Sequence, residues 1–223
     1  MIDLTELPPD RMLYYVHIMH TRSELGKESK DHRGWIVPPD IQIFREWKQI
    51  KQTLETLPTP NKMYNDSVVK KWAKGAPEII LPCRVGFELL DILDRRTSCY
   101  PNPDYLVGLG PNDMALIDLS KRGCFLVRCE DRNLHCAQFK HLDDELFQVT
   151  AMFDRNEFIA KEIDKSLQSG EIGVLFLGRL HNLGNHMVRR LRAHGIVVEE
   201  LNDSEYTKLS REEYLGDLKQ KEC

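Results

Sequence analysis

The stretch that decides the fold is Ile172-Gly-Val-Leu-Phe-Leu177, with Gly170 before it and Gly178 after it. A run of this length that is apolar on both faces is typical of a central strand covered by helices on each side of its sheet. The flanking glycines end the run at strand length. The stretch therefore predicts a buried strand in an α/β protein.

Four further runs have a similar character. Three of them are mostly apolar, and a fourth, Lys62–Tyr64, is shorter and weaker. We expect the strands that end near His17, Arg128 and Leu177 to be neighbours in one largely parallel sheet. The three apolar runs are Leu13–Met19, Cys124–Arg128 and Ile196–Val198.

Helical patterns lie between these runs. Apolar residues recur at nearly the 3.6-residue helical period from Ile41 to Leu57 and from Phe158 to Leu167, and shorter patterns cover residues 85–93 and 187–192. The Ser169-Gly170 pair is a typical stop signal for the second of them. Alternation of strands and helices predicts an α/β fold with a mostly parallel central sheet flanked by helices on both faces.

The sequence predicts a single α/β domain over residues 1–223. Two polar stretches rich in proline and glycine, 22–40 and 97–113, interrupt the pattern and predict lid-like loops. The charged C-terminal segment 203–223 predicts a surface helix. We find no repeat at a fixed period, which excludes solenoid architectures.

Composition narrows the function classes. The chain has 223 residues and a formal net charge of −4, which argues against nucleic acid as the main partner. No apolar run approaches the length of a membrane-spanning helix, and the first residues lack the pattern of a signal peptide. We therefore expect a cytoplasmic protein without a membrane partner, acting on a small-molecule or peptide substrate. The oligomeric state is not indicated.

The cysteines offer one alternative to a strand-end site. The spacing of Cys124, Cys129 and Cys136 permits a metal knuckle, but no CxxC pair occurs among the 6 cysteines of the chain. Cys124 and Cys129 also flank a predicted strand. Structural thiols are the favoured interpretation, because free cysteine behaves mostly as a small buried hydrophobe.

Polar residues follow the predicted strands at the points where ligands bind in parallel α/β sheets. Their histidine and carboxylate groups suit general acid–base chemistry or metal ligation, so a divalent metal ion is a possible cofactor. We expect His20, Glu130 and His181 to face one cavity. The predicted site comprises His20, Glu130 and His181 as catalytic residues and His17, Asp66, Arg128, Gly178 and Arg179 as binding residues.

Each candidate has a structural alternative. His17 lies within an apolar run, where a histidine is more often a satisfied core residue. Glu130 is as well placed to cap the next helix as Asp131 is. Asp66 follows Asn65 in a pair that is common in turns. His181 is the strongest candidate, because the Gly178-Arg-Leu-His181 turn comes straight after the central strand.

Two stretches carry a resemblance to known proteins. Residues 155–164 together with Ser169–His181, and the N-terminal run Tyr14-Tyr-Val-His-Ile-Met-His20 with Leu25-Gly26, resemble a group of uncharacterised bacterial proteins. More remotely, they are similar to the superfamily of TraB/PrgY and TIKI proteins, erythromycin esterases and ChaN-like haem-binding lipoproteins. That superfamily is marked by GxxH motifs and a glutamate after a core strand. Its first GxxH is absent here, since Tyr14 stands where a glycine would precede His17.

The resemblance implies an α/β fold with a hydrolase-like pocket and gives Glu130 the place of the superfamily's glutamate. We predict a hydrolase with a His/Glu site, in which a histidine activates water and Glu130 orients it or shares a metal ion with it. The alternative is a non-catalytic module that binds a small ligand or regulates another protein. A third hypothesis is an interaction protein that uses its charged C-terminal segment.

Overall fold

The computed structural model describes residues 10–18, 40–66, 68, 75–89, 110–140, 145–178, 181–182 and 185–202. Its strands are β1 (Met12–Ile18), β2 (Lys62–Asn65), β3 (Glu78–Ile80), β4 (Phe125–Arg128), β5 (Ile172–Gly178) and β6 (Val197–Glu200). Its helices are α1 (Asp40–Thr56), α2 (described over residues 85–89, after the 3-10 turn Pro82–Arg84), α3 (Pro111–Lys121), α4 (Arg132–Lys140), α5 (Glu145–Ser166) and α6 (His186–Ala193).

The strands form one six-stranded sheet in the order β3-β4-β2-β5-β1-β6. All pairs are parallel except β3 with β4, which is antiparallel. The predicted α/β class with a mostly parallel sheet is thus confirmed. β5 pairs with β1 as expected, but β4 is separated from β5 by β2, so one of the expected neighbour relations is wrong.

Alternate residues of each central strand face two separate apolar layers. In β5, Val174 and Phe176 pack in the layer formed with α1, α2 and α3, while Leu175 and Leu177 pack in the layer formed with α5 and α6. Because both faces of the strand are buried, both sets of side chains must be apolar. This arrangement explains why residues 172–177 read as a continuous apolar run.

The connections of β1 and β5 leave the sheet in opposite directions. From β1 the chain passes through α1 to β2, whereas from β5 it passes through α6 to β6 on the other side of β1. The two connections cover opposite faces of the sheet, because α1 packs in one apolar layer and α6 in the other. Ligands of open α/β sheets bind outside the carboxyl ends of adjacent strands at such a switch point. We call the side where the parallel strands end the carboxyl edge and the opposite side the amino edge.

Three elements were not predicted. Strand β3 and helices α3 and α4 have weak patterns, and α3 begins inside the stretch 97–113 that we expected to be a loop. There Gly110 is buried and its N–H donates to the Asp113 carboxylate (3.1 Å), with Pro111 in the first turn. Residues 110–113 are thus a buried helix start, which corrects the loop boundary. The rest of that loop, nearly all of the loop 22–40 and the segment 203–223 lie outside the described residues.

No helix in the described part of the chain is long and apolar enough to cross a membrane.

Candidate functional site

His181 stands at the centre of a polar group at the carboxyl edge. The residue is 4% exposed, and its Nδ1 lies 2.5 Å from Oδ1 of Asn156 in the middle of α5. The amide nitrogen of Asn156 donates to the His181 carbonyl (2.7 Å) and contacts Nδ1 of His186 (3.2 Å). On the other side of the ring, Nε2 faces Oδ2 of Asp66 at 3.8 Å. Asp66, Asn156, His181 and His186 form what we call the His181 cluster.

Asp66 joins this cluster because of what its carboxylate binds. It directly follows β2, and its backbone N–H donates to the Phe176 carbonyl (3.3 Å) as an extension of the β2–β5 pairing. Its Oδ2 accepts from the N–H of Gly178 (3.3 Å), which aims the carboxylate at the end of β5. Asp66 therefore has a tertiary role in addition to its place in the turn after β2.

Gly178 is where Asp66 and His181 approach the backbone. A Cβ atom at this position would lie 3.7 Å from Asp66 Oδ2 and 3.9 Å from His181 Cδ2, which is ordinary van der Waals contact. Two side chains of the chain itself therefore line the space beside this glycine.

Glu130 lies nearby in a buried ion pair. Its carboxylate is 0% exposed and receives two hydrogen bonds from Arg155 of α5, from Nε (3.2 Å) and Nη2 (2.7 Å). Burial raises the pKa of Glu130 to about 7, Arg155 opposes that shift, and the charges of Asp66 and Asp131 add to it. The charge of Asp66 therefore acts on Glu130, although the hydrogen bonds of Glu130 are made with Arg155.

Asp131, the neighbour of Glu130, caps α4. Its Oδ1 accepts from the N–H groups of Asn133 (2.8 Å) and Leu134 (3.0 Å). This is the standard N-cap geometry, in which a side-chain oxygen satisfies unpaired donors of the first turn. The two carboxylates that the sequence left interchangeable thus have different roles, and only Glu130 turns toward α5.

His17 belongs to a second polar group at the ends of β1 and β6. Its ring is fully buried, and Nε2 contacts Oε2 of Glu200 at 2.6 Å. Asn202 clamps its backbone, accepting from the N–H (2.8 Å) and donating to the carbonyl (2.9 Å). The Nδ1 atom has no hydrogen-bond partner among the described residues. His17 thus combines both interpretations, since it is a core residue that is bound to a carboxylate at the strand end.

Asn182 connects the two groups. It directly follows His181, is fully buried, and donates from Nδ2 to the Glu200 oxygen that His17 also contacts (3.1 Å). Its Oδ1 accepts from the N–H of Val188 in α6 (3.3 Å). A continuous string of polar side chains therefore runs along the carboxyl edge from Asp66 to Glu200.

Arg128 lies apart from this string. Its guanidinium pairs with Glu88 of α2 and with Glu78 of β3 (3.4 Å). Strand alternation places Arg128 on the same face as Leu126, which packs in the layer of α1, α2 and α3. The geometry therefore gives Arg128 a structural ion pair and does not place it in the binding site expected from the sequence. His20 and Arg179, also predicted for the site, lie outside the described residues.

Arg155 and Asn156 are the site residues that sequence reasoning missed. The buried stripe of α5 includes Met152, Ile159 and Ile163. Counting back at helical spacing from Ile159 falls on residues 155 and 156, where two polar side chains take the place of apolar ones. A polar pair within an apolar stripe was the available signal, but it becomes informative only when its partners on other strands are known.

The cysteine alternative is not supported by the surroundings of the thiols. Cys124 and Cys129 are buried on either side of β4, and Cys129 Sγ lies 3.4 Å from the Asn65 carbonyl. Burial raises the pKa of Cys124 to about 12 and that of Cys129 well above its usual value. Both shifts are what burial of a small structural thiol produces. Among the described residues, no group of three or more His, Cys, Asp or Glu side chains could hold a metal ion.

No family model, curated protein or solved structure matches the chain. The resemblance to the TraB/PrgY and TIKI superfamily stays a prediction.

Proposed function

We propose that the chain is a hydrolase in which His181 acts as the general base on water. The observation that carries this proposal is the position of the His181 ring between Asn156 and Asp66 at the switch point of the sheet. Nδ1 is bound to an amide oxygen, so in the neutral ring Nε2 carries the lone pair. That lone pair is the group that accepts a proton from water.

Asp66 assists this step electrostatically. When Nε2 takes a proton the ring becomes an imidazolium, and the Asp66 carboxylate 3.8 Å away stabilises the new positive charge. The Gly178 N–H holds that carboxylate in place. The hydroxide formed from water attacks the reacting carbon of the substrate, and the imidazolium then returns its proton to the leaving group.

The charges at the carboxyl edge favour a neutral ester or amide substrate. Three described carboxylates, Asp66, Glu130 and Glu200, lie along this edge, and the guanidinium of Arg155 is bound to Glu130. A phosphodiester would meet repulsion there. We therefore assign the chemistry to a carboxylic ester or amide of a small molecule or peptide.

Glu130 takes a supporting part in this scheme. The sequence suggested that it orients the histidine, but its hydrogen bonds run to Arg155, and Asn156 is the residue that binds the His181 ring. Glu130 holds Arg155 beside His135 and contributes negative charge near Asp66. We expect its replacement to reduce hydrolysis less than replacement of His181 does.

A divalent metal ion was left open by the sequence. Within the described part of the chain, Asp66 and His181 give two ligands, one short of the three protein ligands of a typical catalytic zinc site, so no step is proposed through a metal. Metal analysis of the purified protein tests this point. A stoichiometric metal ion that is lost in Asp66→Asn would require a metal-assisted mechanism in place of general-base catalysis by His181 alone.

The second candidate function is binding of a small ligand without turnover. It is favoured by the burial of Glu130 and His181 and by the hydrogen bonds that each already makes. A satisfied polar layer of this kind is also what a rigid recognition site needs.

Activity screening of matched variants separates the two candidates. The wild type, His181→Gln and His194→Gln are assayed against a library of carboxylic esters and amides. His194 is the control because it is also a histidine paired with an aspartate (Asp164, 3.2 Å), but at the far end of α6. We expect hydrolysis by the wild type and the control, and a loss of about 10²-fold or more in His181→Gln. A folded His181→Gln protein with full activity would refute the mechanism, and saturable ligand binding without turnover would support the binding module.

A further inference from the structure

Asn156 is a buried amide in a place that the pattern of α5 reserves for an apolar residue. It is fully buried, one turn before Ile159 and Ala160. A buried amide without hydrogen bonds costs free energy, on the order of 1–3 kcal/mol in proteins. Its retention on this face therefore depends on the bonds that it makes.

Those bonds determine which way the amide points. The His181 carbonyl can only accept, so the atom 2.7 Å from it must be the Asn156 NH₂ group. The amide oxygen is then the atom 2.5 Å from His181 Nδ1, and because an amide oxygen can only accept, Nδ1 must carry the proton. The backbone of His181 thus fixes the amide, and the amide fixes the tautomer of the His181 ring.

His186 completes the arrangement. Burial, followed by the charges of Arg190 and Arg189, lowers the pKa of His186, which keeps its ring neutral. A neutral His186 can accept at Nδ1 the second proton of the Asn156 amide, 3.2 Å away. Both N–H groups and the oxygen of Asn156 therefore have partners in one orientation.

We propose that Asn156 is the positioning residue of this site, which holds His181 as the Nδ1-protonated tautomer with the Nε2 lone pair facing Asp66. Its importance for catalysis rests on the proposed hydrolase function, whereas the tautomer itself does not. The alternative is that Asn156 only ties α5 to the turn after β5. A purely structural tie leaves the tautomer of His181 independent of residue 156.

The test reads the tautomer directly by ¹⁵N–¹H correlation spectra of the full chain labelled at histidine, with His181 assigned by its absence in His181→Gln. The wild type is expected to show a protonated Nδ1 and a non-protonated Nε2 at His181. A wild-type ring protonated at Nε2 instead would overturn the proposal without any variant.

Three variants sharpen the result. Asn156→Leu keeps the branched shape of the side chain and removes the acceptor, so we expect Nδ1 to lose its proton. Asn156→Asp keeps an acceptor oxygen, so Nδ1 is expected to stay protonated in both the neutral ring and the imidazolium that the added carboxylate favours. Ser166→Ala removes a buried hydrogen bond from the other end of α5, where Ser166 Oγ contacts Tyr64 (3.0 Å), and should leave the His181 signals unchanged. Retention of the Nδ1 proton in Asn156→Leu, or its loss in a folded Asn156→Asp, would contradict the assignment.

Activity provides a separate readout. With a hydrolysed substrate, Asn156→Leu is expected to lower kcat by about 10²–10⁴-fold with little change in KM. The variant still binds the substrate, but His181 in the wrong tautomer cannot accept the proton from water. If His181→Gln has no effect on hydrolysis while the tautomer results hold, the proposed function fails and the positioning role of Asn156 remains.

Discussion

The amino edge and the carboxyl edge of the sheet both bury charged side chains, but the charges are used differently. At the amino edge, Lys62 donates to the Ser166 carbonyl (2.5 Å) and pairs with Glu171, and Arg11 pairs with Asp164 (2.8 Å). Each cation there binds both a carboxylate and a backbone carbonyl at the C-terminal end of a helix. These contacts tie helix ends to the sheet and pair the charges within the chain.

At the carboxyl edge, carboxylates and imidazoles stand side by side. Asp66 faces His181 across 3.8 Å, and Glu130 keeps a raised pKa in spite of Arg155. Groups whose protonation is finely balanced by burial and neighbouring charge are typical of functional sites. The difference indicates that the strand direction, rather than the amount of buried charge, distinguishes the amino edge from the edge that holds the candidate site.

The largest effect is expected from breaking the Glu130–Arg155 pair. Glu130→Leu leaves the Arg155 charge buried without its carboxylate, and should lower the free energy of unfolding at pH 8 by about 3–5 kcal/mol. The double variant Glu130→Leu/Arg155→Leu should recover most of that loss, because no buried charge remains. Urea denaturation of the single and double variants measures both. A double variant as unstable as the single one would show that the pair is not the cause.

Lys62→Met tests the amino edge. It removes the contacts to the Ser166 carbonyl and to Glu171, and we expect a loss of about 1.5–3 kcal/mol, the range for hydrogen bonds to a charged group. Hydrolysis per folded molecule should be unchanged. Thermal unfolding and the ester and amide assay check the two parts, and a selective loss of activity would contradict the division between the edges.

Two glycines of β5 allow the same substitution at each edge. At Gly173 an added Cβ would lie 2.7 Å from Leu13 Cδ1 and 3.2 Å from Tyr64 Cε2, so Gly173→Ala overpacks the core and should cost about 1–3 kcal/mol. Gly178→Ala meets only ordinary contacts and should change stability by less than about 1 kcal/mol. The difference in urea midpoint between the two variants is the measurement. Equal losses would mean that the space beside Gly178 is tighter than the structure shows.

A further effect is a pH dependence of stability from Glu130. Its pKa is raised from the usual 4.5 to about 7, so the folded protein keeps a proton that the unfolded chain releases. The stabilisation that comes from this retained proton is fully present below about pH 4.5 and is lost as the pH rises through about 7. The unfolding free energy of the wild type should therefore fall relative to that of Glu130→Leu/Arg155→Leu as the pH rises over that range. A flat difference would mean that Arg155 holds Glu130 ionised.

Much of the fold could be predicted because it depends on local patterns. The five parallel strands lie within a few residues of their apolar runs, and α1, α5 and α6 cover their periodic stretches. The antiparallel β3 was missed because it spans only three residues at an edge, with Ile79 exposed. For α3, the Pro111 that suggested a loop instead begins the helix, a position that proline favours.

The sequence by itself determined the α/β class and placed Asp66, Glu130 and His181 at strand ends. Local runs of apolar residues are enough to indicate a strand that is buried on two faces and to give its length. Only the tertiary structure decided which of those side chains meet. Strand order separates β4 from β5 by one strand, strand alternation turns Arg128 away, and the position of α5 brings Arg155 to Glu130 and Asn156 to His181. These contacts join residues about 25 positions apart or more, so they depend on packing geometry and no local pattern specifies them.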